Sequence, residues 1–143
     1  MPGIICGAIV VDDKGRIAMV KEAKPSAYGK WNWPGGKLEP RESILAGARR
    51  EVKEETSLDV KLLGLIGVYR DLRDNAVRFV FLARPIRGEL KHQHGELLGA
   101  RWFTEKELMK LKDRELRRTE MKRVFRDWKD GQLYPLSVCK KFG

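Results

Sequence analysis

Apolar positions come in unbroken runs near the start of the chain and at helical spacing further along. Residues 4–11 and 17–21 are β-rich stretches separated by Asp12-Asp13-Lys14-Gly15, turn chemistry that predicts two strands joined as a hairpin. From Glu22 to Gly36 the chain is rich in Pro, Gly and Trp, which predicts a loop with bulky side chains free for contact. Pro40 stands where a helix can begin, because the N–H it lacks would be unpaired in a first turn anyway. Ile44, Leu45, Ala48 and Val52 then share one arc, so a helix is expected over about 41–56. Residues 58–69 and 76–86 read as strands joined by the polar turn 71–75. A polar, Gly-containing loop covers 87–95, and 100–103 makes a short strand. Thr104 followed by Glu107 is a capping-box signature opening another helix. Met121, Val124, Phe125 and Trp128 mark the inner stripe of a last one, which Gly131 is placed to end. This alternation predicts one α/β domain over residues 1–143, a mixed sheet with helices packed on it.

Composition removes several classes. With 42% apolar residues the chain is not disordered. No apolar run approaches the ~20 residues that span a bilayer. The run over 4–11 has no basic stretch before it and reads as a strand, not a secretory signal, so a cytoplasmic protein without a membrane role is expected. Cys6 and Cys139 have no nearby His or Cys in sequence; they predict small core residues, neither a zinc site nor a disulfide framework. The net charge of +10 attracts polyanions. Its densest run, 114–123, falls on a predicted helix and reads as a solvated face. Charge alone therefore points to phosphates without saying which.

The chemistry concentrates on the first helix. Glu51, Glu54 and Glu55 sit at i, i+3 and i+4 and share one side, a spacing at which like charges cost a helix ~0.2–0.5 kcal/mol per pair. Something positive must compensate. Arg50 at four residues from Glu54, with neighbouring lysines, gives one answer: a salt-bridged surface. The other is a magnesium or manganese ion, since hard dications prefer clustered carboxylate oxygens. Gly47 removes a side chain within the acidic arc. Gly35-Gly36 offers bare backbone that can approach an ion, and Glu39 and Glu42 add carboxylates near the helix start.

Gly36, Glu42 and the run Arg50-Glu51-Val52-Lys53-Glu54-Glu55-Thr56-Ser57-Leu58 resemble the Nudix box, G-x5-E-x7-R-E-U-x-E-E-x-G-U, with U a bulky apolar residue. Eight of its nine specified positions match, and Ser57 stands where the family has Gly. The strand order, Trp31 to Gly36 and Trp102-Phe103 extend the likeness over most of the chain. The resemblance implies a Nudix-type α/β/α sandwich and metal-dependent hydrolysis of a nucleoside diphosphate linked to a further group. It implies Mg2+ or Mn2+ held by Glu51, Glu54, Glu55 and the Gly36 carbonyl, with Arg50 orienting the glutamates and Glu42 supporting them. The general base differs between members, so Glu51, Glu54 and the loop residue Glu96 all stand open for that role, Glu96 also as an extra ligand.

Substrate choice lies outside the box. Trp31-Asn32 before Pro34, the strand 78–81 and the tail 131–136 resemble the NudJ-type phosphatases of the family. That likeness implies phosphate release from hydroxymethylpyrimidine or thiamine pyrophosphate, or from nucleoside di- and triphosphates. Tyr28, Trp31 and Trp33 could stack on a base, and Arg70, Arg73 and Arg78 could grip phosphate. His92 and His94 read as exposed loop residues. A pyrophosphohydrolase that removes oxidised nucleotides is the alternative activity. A binding module for nucleotides or RNA fits less well, because such modules usually lose the box glutamates. A small phosphorylated substrate, not nucleic acid, is the expected partner, for a monomer or homodimer.

Overall fold

The computed structural model describes residues 1–93 and 95–143. Two sheets carry the fold. Strands β1 (Gly3–Val10), β4 (Gly35–Lys37), β5 (Asp59–Asp71) and β6 (Ala76–Arg87) form a mixed sheet in the order β4-β1-β6-β5. Strands β2 (Ile17–Glu22), β3 (Trp31–Asn32) and β7 (Leu97–Phe103) form a second, antiparallel sheet in the order β3-β2-β7. The expected β1–β2 hairpin is therefore a correction. Its turn exists, with Asp12 Oδ1 accepting from the Lys14 and Arg16 amides, but the strands share only the bridge Val11–Ile17. The reason is saturation: β4 takes one edge of β1 and β6, in parallel, takes the other, so no edge is left for β2.

Because β1 is covered on both faces, its sequence is continuously apolar. Cys6, Ala8 and Val10 pack with Phe81, Ala83, Ala48 and Val52 beneath helix α1 (Ile44–Thr56). Ile9 points the other way, between the sheets, into a cluster with Ile17, Met19, Val80 and Phe103. Helix α2 (Glu105–Lys110) opens with the expected Thr104–Glu107 capping box. Helix α3 (Met121–Lys129) sends Met121, Val124 and Phe125 into the second cluster, and Gly131 follows with φ +92°. The tail after α3 guards an open edge. Tyr134 and Leu65 exchange backbone hydrogen bonds of 2.7 and 2.9 Å, and Gln132 donates to the Ile66 carbonyl at 2.8 Å, covering the bulged stretch of β5. Cys139 packs against the same cluster as Cys6, so the tail brings the two cysteines of opposite chain ends into one core. Among the described residues no helix is long and apolar enough to cross a membrane.

The start of α1 departs from expectation, while its end at Thr56 matches it. It begins at Ile44, not near Pro40, because Arg41 is held at φ +66°, outside helical space; Ser43 caps it, its hydroxyl accepting from the Ala46 amide at 3.1 Å. At the other end Ser57 occupies the left-handed conformation that glycine usually fills, φ 68° and ψ 5°. Its hydroxyl offsets that strain by donating to the Lys91 carbonyl at 2.6 Å and accepting from Gln93 Nε2 at 2.7 Å. The Lys91 amide donates to the Thr56 carbonyl beside it. The serine thus fastens the loop before β7 to the end of α1. Ser57→Ala keeps the strain and loses both bonds, so a loss of about 1–2 kcal/mol is expected, with faster hydrogen exchange at the Lys91 amide. Unchanged exchange there would show that the loop is held elsewhere.

Candidate active site

Helix α1 crosses beneath the β4 edge of the mixed sheet, which brings its acidic side against the Pro34-Gly35-Gly36 turn. Gly36 is required by contact: a Cβ there would stand 2.5–2.7 Å from the Glu51 carboxylate. Gly35 donates its amide to Glu55 Oε1 at 2.7 Å. Gly36→Ala is therefore expected to push the Glu51 carboxylate aside at little cost in stability, visible as a displaced side chain in a crystal structure.

Arg50 holds the acids together. Its Nε and Nη2 donate to Glu42 at 2.6 and 3.0 Å, and Nη1 donates to Glu51 at 2.8 Å and to both oxygens of Glu54 at 3.1–3.2 Å. Nη2 also donates to the Lys37 carbonyl. Arg50 is thus both the compensating charge expected on the helix and the brace of the site. Its hydrogen bonds lower the Glu42 pKa. Burial acts the other way on Glu51 and Glu55: it raises the first, and it pushes the second, despite the Gly35 amide, up to about 8. Glu54 is the open member, its side chain 41% exposed against 14% for Glu51. A Cβ on Gly47 would strike Leu38 at 2.6 Å and Glu42 at 3.0 Å, so the bare position makes room for those side chains.

A groove of about 1080 Å³ runs from this edge across the inner face of the mixed sheet. Gly36, Glu55, Trp33, Arg70, Arg73 and Arg78 line it, as does Glu22. Trp33 is almost fully buried, edge-on to Phe125 at 5.8 Å. Trp31 packs edge-on to Phe103 at 4.8 Å beneath the second sheet, and Tyr28 is 66% exposed; neither is among the groove's lining residues. Glu96 is exposed, but its carbonyl accepts from the Ala23 amide, which sets it beside Glu22. His92 is exposed, and His94 lies outside the described residues.

Two features of the groove escape a reading of the sequence. Glu22 is only 6% exposed, and burial raises its pKa. Ending the strand at Lys21 leaves Glu22 to the loop, yet the alternation Ala18, Val20, Glu22 was available to place it inward. The basic run over 114–123 is also a correction. Helix α3 starts only at Met121, and the preceding segment turns Arg117 and Arg118 into the groove, their side chains 24% and 18% exposed.

The family pattern described as NUDIX domain matches residues 1–127. Over 115 residues the chain is 36% identical to the 8-oxo-dGDP phosphatase NUDT18 of Danio rerio, covering 78% of this chain and 35% of that one. It is 35% identical to an ADP-ribose pyrophosphatase of Methanocaldococcus jannaschii over 86 residues, 57% of this chain and 51% of the relative. The chain thus spans about a third of the NUDT18 relative and about half of the other. A solved structure of a NUDIX hydrolase from Nitrosomonas europaea superposes with a TM-score of 0.87 at 26% identity, covering 99% of this chain and 98% of that one.

Proposed function

The chain belongs to the NUDIX domain family, and from that premise we propose that it hydrolyses a phosphoanhydride bond in nucleoside diphosphates or closely related small diphosphates. The observation that carries this reading is the fit of Glu51 against bare Gly36 beside the desolvated Glu55 carboxyl. A carboxyl raised to about 8 by burial is a group that a bound cation stabilises in its charged form. The donors are hard oxygens, which suits Mg2+ or Mn2+. Glu51, Glu54, Glu55 and the Gly36 carbonyl would hold the ion. When bound, such an ion neutralises the diphosphate and supports attack by water.

The remaining work falls to the chain. Among the described residues no three acids converge ready-made on one point, because the Arg50 guanidinium stands between Glu42, Glu51 and Glu54. Glu54 is the exposed member, and Glu42 by itself accepts two bonds from Arg50, so a Glu54 turned toward an ion would leave that brace in place. Glu51, Glu54 or Glu96 takes the proton from water. Trp33 offers an apolar wall, and Arg70 and Arg78 offer donors to the substrate.

The NUDT18 likeness supports a nucleoside diphosphate as substrate and, within that class, an oxidised base. The groove's length supports a second reading, a diphosphate bridging two larger groups, in keeping with the ADP-ribose relative. Product analysis with Mg2+ separates them. A nucleoside diphosphate should give the monophosphate and orthophosphate; ADP-ribose would give two monophosphates. If dGDP, 8-oxo-dGDP, ADP-ribose and hydroxymethylpyrimidine and thiamine pyrophosphates all survive with either metal, the proposal is wrong.

A further inference from the structure

We infer that the end of the groove remote from the carboxylates is a second anion subsite, built to receive a phosphate that the substrate carries away from the bond being cut. The inference deepens the hydrolase reading and rests on it. Residues paired across a sheet share a face, so Lys37, Ile5, Arg78 and Tyr69, which stand in register on β4, β1, β6 and β5, point into the same groove. From the β4 edge, where the carboxylates gather, to Arg78 and on to the tip of the β5–β6 hairpin is two to three strand spacings, ~10–14 Å at ~4.8 Å per strand. A single diphosphate at the edge leaves that far end unfilled.

The far end is overcharged with arginine. Arg78 and Arg118 share Asp71 and Asp74, and Arg117 reaches Asp74 only at 3.9 Å. Arg118 is mostly covered and is committed to these two carboxylates, its Nη2 on Asp74 and its Nε toward Asp71, so the donors left over belong to Arg117, Arg70 and Arg123. Arg73 is matched by Glu120. Arg70 donates to Asn75 Oδ1 and to carbonyls, and Arg123 has no ion pair among the described residues. Six guanidinium groups therefore line this end with three carboxylates, an imbalance confined to one wall of one cavity. Guanidinium forks with donors to spare are suited to phosphate oxygens. A concave site that also holds Trp33 is suited to a compact ligand more than to the backbone of a long polymer.

The test uses the full chain and two ligands with no anhydride bond, so binding is read without turnover. Adenosine 2′,5′-bisphosphate and adenosine 5′-monophosphate differ by one remote phosphate. Calorimetry in Mg2+ should show the bisphosphate bound about tenfold tighter, the scale of one charge-assisted contact. In the double variant Arg117→Gln, Arg123→Gln the preference should fall below about twofold. Arg123→Gln alone, at an exposed position, should reduce it in part and guards against a folding defect in the pair. Equal affinity in the unmodified protein overturns the subsite, as does a preference that survives both substitutions. So does a result in which only single-stranded RNA binds through these arginines, with steep salt dependence. Failure of the hydrolase reading looks different: the preference persists while no diphosphate is cut.

Discussion

Glu54→Gln should abolish hydrolysis of every diphosphate the chain cuts, by at least about 10³-fold in kcat, while the protein melts where it did before. The two halves of that result come from different places. Loss of one anionic ligand from a site that stabilises developing charge removes several kcal/mol of transition-state stabilisation, and each ~1.4 kcal/mol is a factor of ten. Stability is spared because Glu54 is more exposed than Glu42 and Glu51 and gives Arg50 its longest hydrogen bonds, 3.1–3.2 Å against 2.6 Å to Glu42. A surface pair of that kind contributes little. Activity within threefold of the parent, measured as phosphate release in Mg2+, would remove Glu54 from the machinery. A loss of both activity and melting temperature would mean instead that the side chain braces the helix.

The amount that could be read from residues alone follows a physical divide. Local signals carried well. The period of α1 and α3, the capping box at Thr104 and the placing of Glu51, Glu54 and Glu55 along one helix all depend on neighbours a turn or two away. Partner choice did not. Whether β1 and β2 pair depends on β6, some seventy residues later, arriving alongside β1 and closing its free edge. Pro40 met the rule for a helix start, and Arg41 at φ +66° overrode it because Ser43 supplies the cap. The basic run over 114–123 satisfied a helix template, but the helix begins where Met121 can reach the inter-sheet cluster. What precedes it is a connecting segment that bends back over the sheet, its Arg117 amide donating to the Trp31 carbonyl. Charge at such positions looks like solvation until the tertiary path is known.

Arg50→Ala is expected to be the most destabilising substitution at the site, by about 3 kcal/mol, because it strands partly buried carboxylates without their shared cation. The side chains of Glu42 and Glu51 are each 14% exposed, and Arg50 gives them three hydrogen bonds of 2.6–3.0 Å. The sign of the pH dependence separates this cause from lost packing. Arg50 lowers the Glu42 pKa in the parent, so that carboxylate contributes stability above its unfolded value and loses it as pH falls through the folded one. In the variant the depression is gone and burial still raises Glu51. The cost of the substitution should then be largest near neutrality and shrink toward pH 4, where the stranded groups take up protons instead of sitting charged. Mg2+ should restore part of the lost melting temperature in Arg50→Ala and do less for the parent, since a dication can replace the missing positive charge between the same oxygens. A deficit that is constant with pH and indifferent to Mg2+ would mean that Arg50 matters for the packing of its aliphatic stem, and that the acids tolerate each other without a cation.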